Sequence, residues 1–201
     1  LLDPAERSSL GNLRVIFPPY SRDQVVDILE YRASEALLPG AASRDVYEFI
    51  ADLAIQPPRN GDVRFALDML LYSGTLAEEE GYDHITIDHV RAVYGKTLDV
   101  ISISDIEELE LEDKIVLLSA AKALSATNTP YIGINDLKKQ IEVAIEEYQL
   151  KKAKLPLDKV LKKLAERDLI EVKGKSVGVL VGPLSKLISL LEDMVLRGAR
   201  H

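Results

Sequence analysis

The 201-residue chain contains no cysteine and only three histidines. The first absence excludes disulfides and thiolate metal sites. His84, His89 and His201 are too few and too scattered for a zinc site, so no metal-ligating set is expected. No apolar run approaches the ~20 residues needed to cross a bilayer. The start, Leu1-Leu2-Asp3-Pro4, lacks the basic region and apolar core of a signal peptide. A cytoplasmic protein without a membrane partner is therefore expected. What is present is an ordinary globular balance, 47% hydrophobic and 29% charged. The length suits one large or two small domains.

The net charge of -8 hides an asymmetry. Residues 1–104 carry 17 acidic and 9 basic side chains, whereas residues 105–201 carry 16 of each. Within residues 151–175 there are 9 basic and 4 acidic side chains. Salt screens distant charge, so this local basic window can face nucleic acid although the whole chain is acidic.

The periodicity is mostly helical. Ser21 and Gln24 form a capping-box pattern before Val25, Ile28 and Leu29, in a helix expected to end near Pro39-Gly40. A second helix is predicted from about Ser43, with Val46, Phe49, Ile50 and Leu53 inward, ending at Gln56-Pro57-Pro58. A third opens at Gly61-Asp62 and runs towards Gly81. Its last turn holds Glu78, Glu79 and Glu80 against the helix dipole, so it is expected to fray. Thr86 caps a short helix from Ile87 to Tyr94, which Gly95 should stop. Residues 95–111 then have the composition of a mobile, acidic junction.

Beyond the junction the pattern gives helices over Glu112–Leu124, about Ile134–Tyr148, and from Pro156 to near Asp168. Strands over Leu169–Val172 and Val177–Val181 flank the turn Lys173-Gly174-Lys175-Ser176. A final helix after Gly182-Pro183 carries Leu184, Leu187, Ile188, Leu191 and Val195. Three helices, a hairpin and a closing helix describe a winged helix-turn-helix.

On a helical wheel of residues 156–167, Leu157, Val160, Leu161 and Leu164 share one face. Lys159, Lys162, Lys163 and Arg167 lie on the other. The first face can pack on the domain while the second enters a major groove. Lys173 and Lys175 sit at the hairpin tip, where a wing touches phosphates or the minor groove. Lys151, Lys152 and Lys154 lie just before the helix. A basic helix alone favours a solvated charged face, the commonest fate of such lysines. Helix, loop and wing together favour DNA. With no Asn or Gln on the helix, phosphate contacts outweigh base readout.

The segment Arg59–Leu70 carries different chemistry. Gly61-Asp62 opens a helix, Val63, Ala66, Leu67 and Leu70 form its apolar stripe, and Arg64 points away from that stripe. Such an arginine suits a phosphate presented by another domain, or else a plain ion pair with Asp62 or Asp68. Gly95-Lys96-Thr97 is not a phosphate loop, because the required preceding glycine is Val90 and a helix precedes it.

Val15-Ile16-Phe17-Pro18-Pro19-Tyr20-Ser21 together with Arg59–Leu70 resembles the lid of AAA+ ATPases, and more narrowly that of archaeal origin-recognition and cell-division-control replication initiators. Leu2-Asp3-Pro4, Ser8-Ser9-Leu10-Gly11 and Ile87–Tyr94 are similar to the family's approach to the lid and its last lid helix. The resemblance implies a mainly α chain: an AAA+ helical lid followed by a winged helix-turn-helix domain with a small β-hairpin. Residues 1–16 would be the C-terminal remnant of the AAA+ base, 17–100 the lid, and 105–198 the winged-helix domain. By resemblance Arg64 reads the ATP γ-phosphate, Tyr20 and Ile28 lie near the adenine, and Arg7 is the nearest arginine to the family's finger position, which is here Ala5. The phosphate loop and magnesium-binding motif are missing from these residues. ATP or ADP with magnesium is thus expected only in an intact parent, and no catalysis in this part. Double-stranded origin DNA is the implied partner, with a replicative helicase or another initiator subunit as protein partners. An alternative is an interaction adaptor that uses both domains as docking surfaces.

Overall fold

The computed structural model describes residues 16–97, 106–149 and 156–198. Helix α1 (Arg22–Ala36) begins at the capping box. Ser21 Oγ accepts the Gln24 N–H at 3.3 Å, and the Gln24 side chain accepts the Ser21 N–H at 2.9 Å. The helix ends before Pro39-Gly40, at Ala36, with Leu37 already extended. Helix α2 (Arg44–Ile55) buries the expected Val46, Phe49, Ile50 and Leu53, and also Asp52.

Helix α3 (Val63–Glu79) is capped by Asp62, whose carboxylate accepts the N–H groups of Arg64 (2.9 Å) and Phe65 (3.1 Å). Its acidic last turn stays closed, contrary to the expected fraying. Gly81 takes a left-handed φ of +79°, and the Tyr82 N–H reaches the Ala77 carbonyl at 2.8 Å. That closure satisfies the end carbonyls, and Glu80 also meets His89 Nε2 at 3.3 Å. Helix α4 (Ile87–Thr97) starts with a reciprocal pair: Thr86 Oγ1 accepts the His89 N–H, and His89 Nδ1 accepts the Thr86 N–H. Gly95 does not stop it. The glycine lies inside the helix against the backbone of Gly182, so packing overrides its poor helix propensity.

The remaining elements surround helix α5 (Leu111–Thr127), which is buried almost all round from Ile115 to Leu124. Helices α6 (Ile134–Glu147), α7 (Leu157–Glu166) and α8 (Leu184–Gly198) belong to this unit. Pro156 caps α7 and is not its first helical residue. The sheet has three antiparallel strands in the order β1-β3-β2: β1 (Ile132–Gly133), β2 (Ile170–Lys173) and β3 (Ser176–Val179). The hairpin register pairs Val172 with Val177 and Lys173 with Ser176. Strand β1 has no counterpart in the sequence reading, because two residues are too short to show alternation. It pairs Ile132 with Val177 and fixes the hairpin to the start of α6.

Two hydrophobic cores result, one from α1–α4 and one from α5–α8 with the sheet. Leu180, just past β3, belongs to the first core and so pins the hairpin to the α1–α4 unit. Part of the acidic junction, residues 98–105, lies outside the described residues. In contrast to a loose junction, the two units share a packed seam. No helix among the described residues is long and apolar enough to cross a membrane.

Candidate nucleic-acid interface, lid cleft and seam

Helix α7 is amphipathic for a simple reason: Val160, Leu161 and Leu164 face α5 and are buried, so the intervening residues must face outward. Lys159 and Lys162 are exposed there. Lys159 has no ion-pair partner among the described residues, and Lys162 only the exposed Glu166 at 3.8 Å. Asp158 and Glu166 share that outer surface and dilute its charge.

Lys163 is placed differently. Its ammonium lies 2.6 Å from Asp113, a carboxylate that is almost fully buried, and 3.4 Å from Glu110. Hydrogen bonding to Asp113 raises the Lys163 pKa and keeps it charged. Asp113 also accepts the Glu110 N–H at the start of α5. Lys163 thus braces α7 against α5. Arg167 caps the C-terminal end of α7 and is exposed. Lys154 and Arg7 lie outside the described residues.

At the hairpin, Gly174 adopts φ +61° and Lys175 is exposed at the tip. The Lys175 carbonyl accepts the Ile134 N–H at 2.9 Å, which ties the tip to the start of α6. Lys173 is not on the tip. It ends β2 and places its ammonium 2.7 Å from Asp52 of α2.

In the α1–α4 unit, Tyr20 and Ile28 come together in a cleft of about 440 Å³, with Tyr31, Val63 and Leu67 on its walls. Gly61 makes this possible: its φ is +84°, and a Cβ there would collide with the Tyr20 carbonyl. Arg64 is exposed in the first turn of α3, next to the lining residue Val63. Its guanidinium has no ion pair or hydrogen bond among the described residues, so neither Asp62 nor Asp68 holds it. Asp27 and Arg32 complete the lining, so the walls mix apolar faces with two charged side chains.

Between the units lies a seam of buried polar groups. Asp52 is 1% exposed and meets Arg22 Nε (2.6 Å), Lys173 Nζ (2.7 Å) and the Tyr131 hydroxyl (3.0 Å). The bond to Asp52 raises the Arg22 pKa further, against the opposing effect of burial. Burial, and then the Glu171 carboxylate 2.6 Å away, push the Tyr131 phenol up. Tyr131 also meets Phe49 edge-on, with ring centroids 6.1 Å apart.

Arg91 of α4 is the second bridge. It is 2% exposed, and its guanidinium donates to the carbonyls of Val179 (2.9 Å), Thr129 (3.2 Å) and Pro130 (3.3 Å), and to Asp88 (2.9 Å). Burial lowers its pKa, and the bond to Asp88 opposes that. A Cβ on Gly182 would fall 2.8 Å from Arg91 Cβ, so the two segments approach closely only because of the glycine.

Sequence reasoning missed Asp52 and Arg91. The signal for Asp52 was its place beside Leu53 on the apolar face of α2, where a carboxylate needs a buried partner. Arg91 gave no such sign, since its carbonyl partners come from about forty to ninety residues away. No group of three or more potential metal ligands occurs among the described residues.

Comparison with known proteins gives a consistent picture. Residues 26–95 match the family described as the Cdc6 AAA+ ATPase-type lid domain. ORC1-type DNA replication protein 1 of Sulfolobus acidocaldarius is 42% identical over 137 residues, which covers 66% of this chain and 33% of that protein. The ORC1-type DNA replication protein of Methanocorpusculum labreanum is 40% identical over 119 residues, 59% of this chain and 27% of that one. The chain therefore spans about a third or less of the length of these curated relatives. The crystal structure of Cdc6p from Pyrobaculum aerophilum superposes with a TM-score of 0.80 at 30% identity, over 99% of this chain and 54% of that one.

Proposed function

We propose that this chain, which belongs to the archaeal Orc1/Cdc6 family and carries its lid and winged helix, serves replication initiation by gripping duplex DNA. Residues 17–100 are the lid and 105–198 the winged-helix domain, with residues 1–16 the end of a base domain. Helix α7 enters or borders the major groove, and the wing tip meets the backbone.

The observation that carries this reading is the pair Lys159 and Lys162 on the outer face of α7, neither held by a buried anion, with Lys175 equally unencumbered at the wing tip. Arg167 and Lys154 are assigned to the same surface from the sequence pattern alone. Lys163 contributes field from a fixed position, and Lys173 is withheld by Asp52. The contacts are mainly to phosphates, so binding is tight at low salt and weak in sequence preference. Origin DNA is the substrate in the intact protein, together with a helicase or a second initiator subunit as protein partner.

In that intact protein the cleft at Tyr20 and Ile28 holds the adenine of ATP or ADP, with Arg64 turned to its phosphates. The reading is supported by the apolar part of the lining, Tyr20, Ile28, Tyr31, Val63 and Leu67, and by the Arg64 guanidinium, which has no partner among the described residues. Magnesium and the phosphate loop would come from the base, so this chain alone is expected to turn over no ATP.

The test replaces Lys159 and Lys162 together by alanine and titrates a short fluorescent duplex. Weaker binding with an unchanged melting temperature supports the reading. Unchanged affinity refutes the assignment of α7. An unsubstituted chain that binds no duplex at moderate salt favours the adaptor reading.

A further inference from the structure

Lys173 sits one residue from the wing tip, yet its ammonium is held by a carboxylate of the other unit. We propose that Asp52 is a lid clamp on the wing: it keeps Lys173 off the DNA while the units are docked, and a DNA phosphate competes with Asp52 for that lysine. The inference rests on the DNA-binding reading above.

Three observations support a clamp that opens. First, Asp52 does not depend on Lys173 for its charge balance. Arg22, from the same unit, donates to Asp52 at 2.6 Å and remains when the wing leaves. A buried carboxylate stripped of its only cation is strongly destabilising, and Arg22 spares Asp52 that cost when Lys173 departs. Second, the Tyr131 hydroxyl lies within hydrogen-bond reach of both Asp52 (3.0 Å) and Glu171 (2.6 Å), but has one hydrogen to donate. Its hold on Asp52 is thus shared with a carboxylate that moves with the wing. Third, the Lys173 side chain is 46% exposed, so solvent reaches its ammonium, whereas the cleft of about 360 Å³ beside it carries Asp45 and Glu48 as well as Asp52, and a phosphate must approach from the outer side of the hairpin.

The clamp explains why a hairpin lysine of the proposed DNA surface is occupied while its neighbour Lys175 is not. It also places a charge of the lid under the control of DNA. When a phosphate takes Lys173, the wing loses one of its ties to α2, while Arg91 and Leu180 still hold the hairpin base. DNA binding would then loosen the outer part of the seam selectively.

Two measurements test the proposal. Without DNA, lysines of the full chain are acetylated and followed by mass spectrometry. Lys173 is expected to react several-fold more slowly than Lys175, because its amine must first leave Asp52. Asp52→Asn should bring the two rates together. Equal rates in the unsubstituted chain overturn the clamp, whatever the chain does with DNA. With DNA, Lys173→Ala alone should leave affinity almost unchanged, whereas Lys175→Ala weakens it. Asp52→Asn should tighten binding, because Lys173 then meets a phosphate without first leaving a carboxylate, and the salt slope should steepen by less than the roughly 0.9 of a full phosphate contact. Adding Lys173→Ala to Asp52→Asn should cancel that gain. A loss in Lys173→Ala as large as in Lys175→Ala, or an Asp52→Asn gain that survives Lys173→Ala, refutes the proposal. Unaltered binding in the Lys159/Lys162 variant would instead count against the DNA surface itself.

Discussion

Replacing Arg91 by alanine should uncouple the lid from the winged helix. The guanidinium donates to three carbonyls of the second unit and to Asp88, all within 3.3 Å, at 2% exposure. Alanine supplies none of these donors. It leaves the carbonyls of Val179, Thr129 and Pro130 without the partner they have in the seam, and Asp88 with only the Leu184 N–H at 3.4 Å. Leaving three carbonyls without their donor costs about 1 kcal/mol or more each, about 3–5 kcal/mol together, while Asp88, with a side chain 36% exposed, is solvated and adds little. For a chain of this size each kcal/mol shifts the melting temperature by roughly 2–4 °C. The expected drop is therefore about 6–20 °C, and it should come with a second transition as the two cores melt separately. Arg91→Lys keeps the charge but presents its donors from one point rather than a planar fork, so it should recover only part of the loss. Differential scanning calorimetry reads both effects. A single transition for Arg91→Ala within about 2 °C of the unsubstituted chain, about 0.5–1 kcal/mol, would refute the reasoning.

Gly61→Ala should deform the Tyr20 cleft, because the position has φ +84° and an added Cβ meets the Tyr20 backbone. A left-handed residue forced to carry a side chain costs on the order of 1–3 kcal/mol. Binding of an adenine-nucleotide analogue to a protein that includes the base domain should weaken, and unchanged binding and stability would contradict the placement of Tyr20. Acid should unfold the chain through particular carboxylates. Hydrogen bonds from Arg22 and Arg44 hold Glu48, and those from Lys122 and Tyr148 hold Glu192, below the ordinary glutamate value of 4.5. A depressed folded pKa gives stability that is complete above the unfolded value and is lost as pH falls through the folded one. Urea midpoints should thus be flat down to about pH 5 and fall below about 4.5. Glu192→Gln should make that acid limb shallower, more clearly at low salt because the group is partly exposed. An identical pH profile for the variant would rule the pair out as a contributor.

The long, capped, periodic segments were legible because their signals are local. The Ser21/Gln24 box and the Thr86 cap fixed two helix starts, and the apolar faces of α2 and α7 are buried as their spacing indicates. Failures arose where a distant contact overrode a local preference. Gly95 continues a helix where Gly182 packs near it. The acidic end of α3 is a different case, held by a local signal that was underweighted, the left-handed Gly81 that closes it. The two-residue strand β1 exists only through its pairing with β3. At the basic surface the wheel placed Lys159 and Lys162 outward correctly, but it treated four cations as equivalent. Asp113 and Asp52, which take Lys163 and Lys173, lie 50 and 121 residues away in sequence. The seam itself was not visible, since the bonds that join the two units are long-range.

The proposed grip on DNA is tested most directly by the salt dependence of duplex binding. Three phosphate contacts from Lys159, Lys162 and Lys175 give a slope of log K against log salt of about −2.7, made steeper by any contact from Arg167 or the loop lysines. The Lys159→Ala/Lys162→Ala variant should reduce that slope by about 1.8 and weaken binding across unrelated duplex sequences alike. A variant with the slope and affinity of the unsubstituted chain would contradict the assignment of α7 as the DNA-gripping helix.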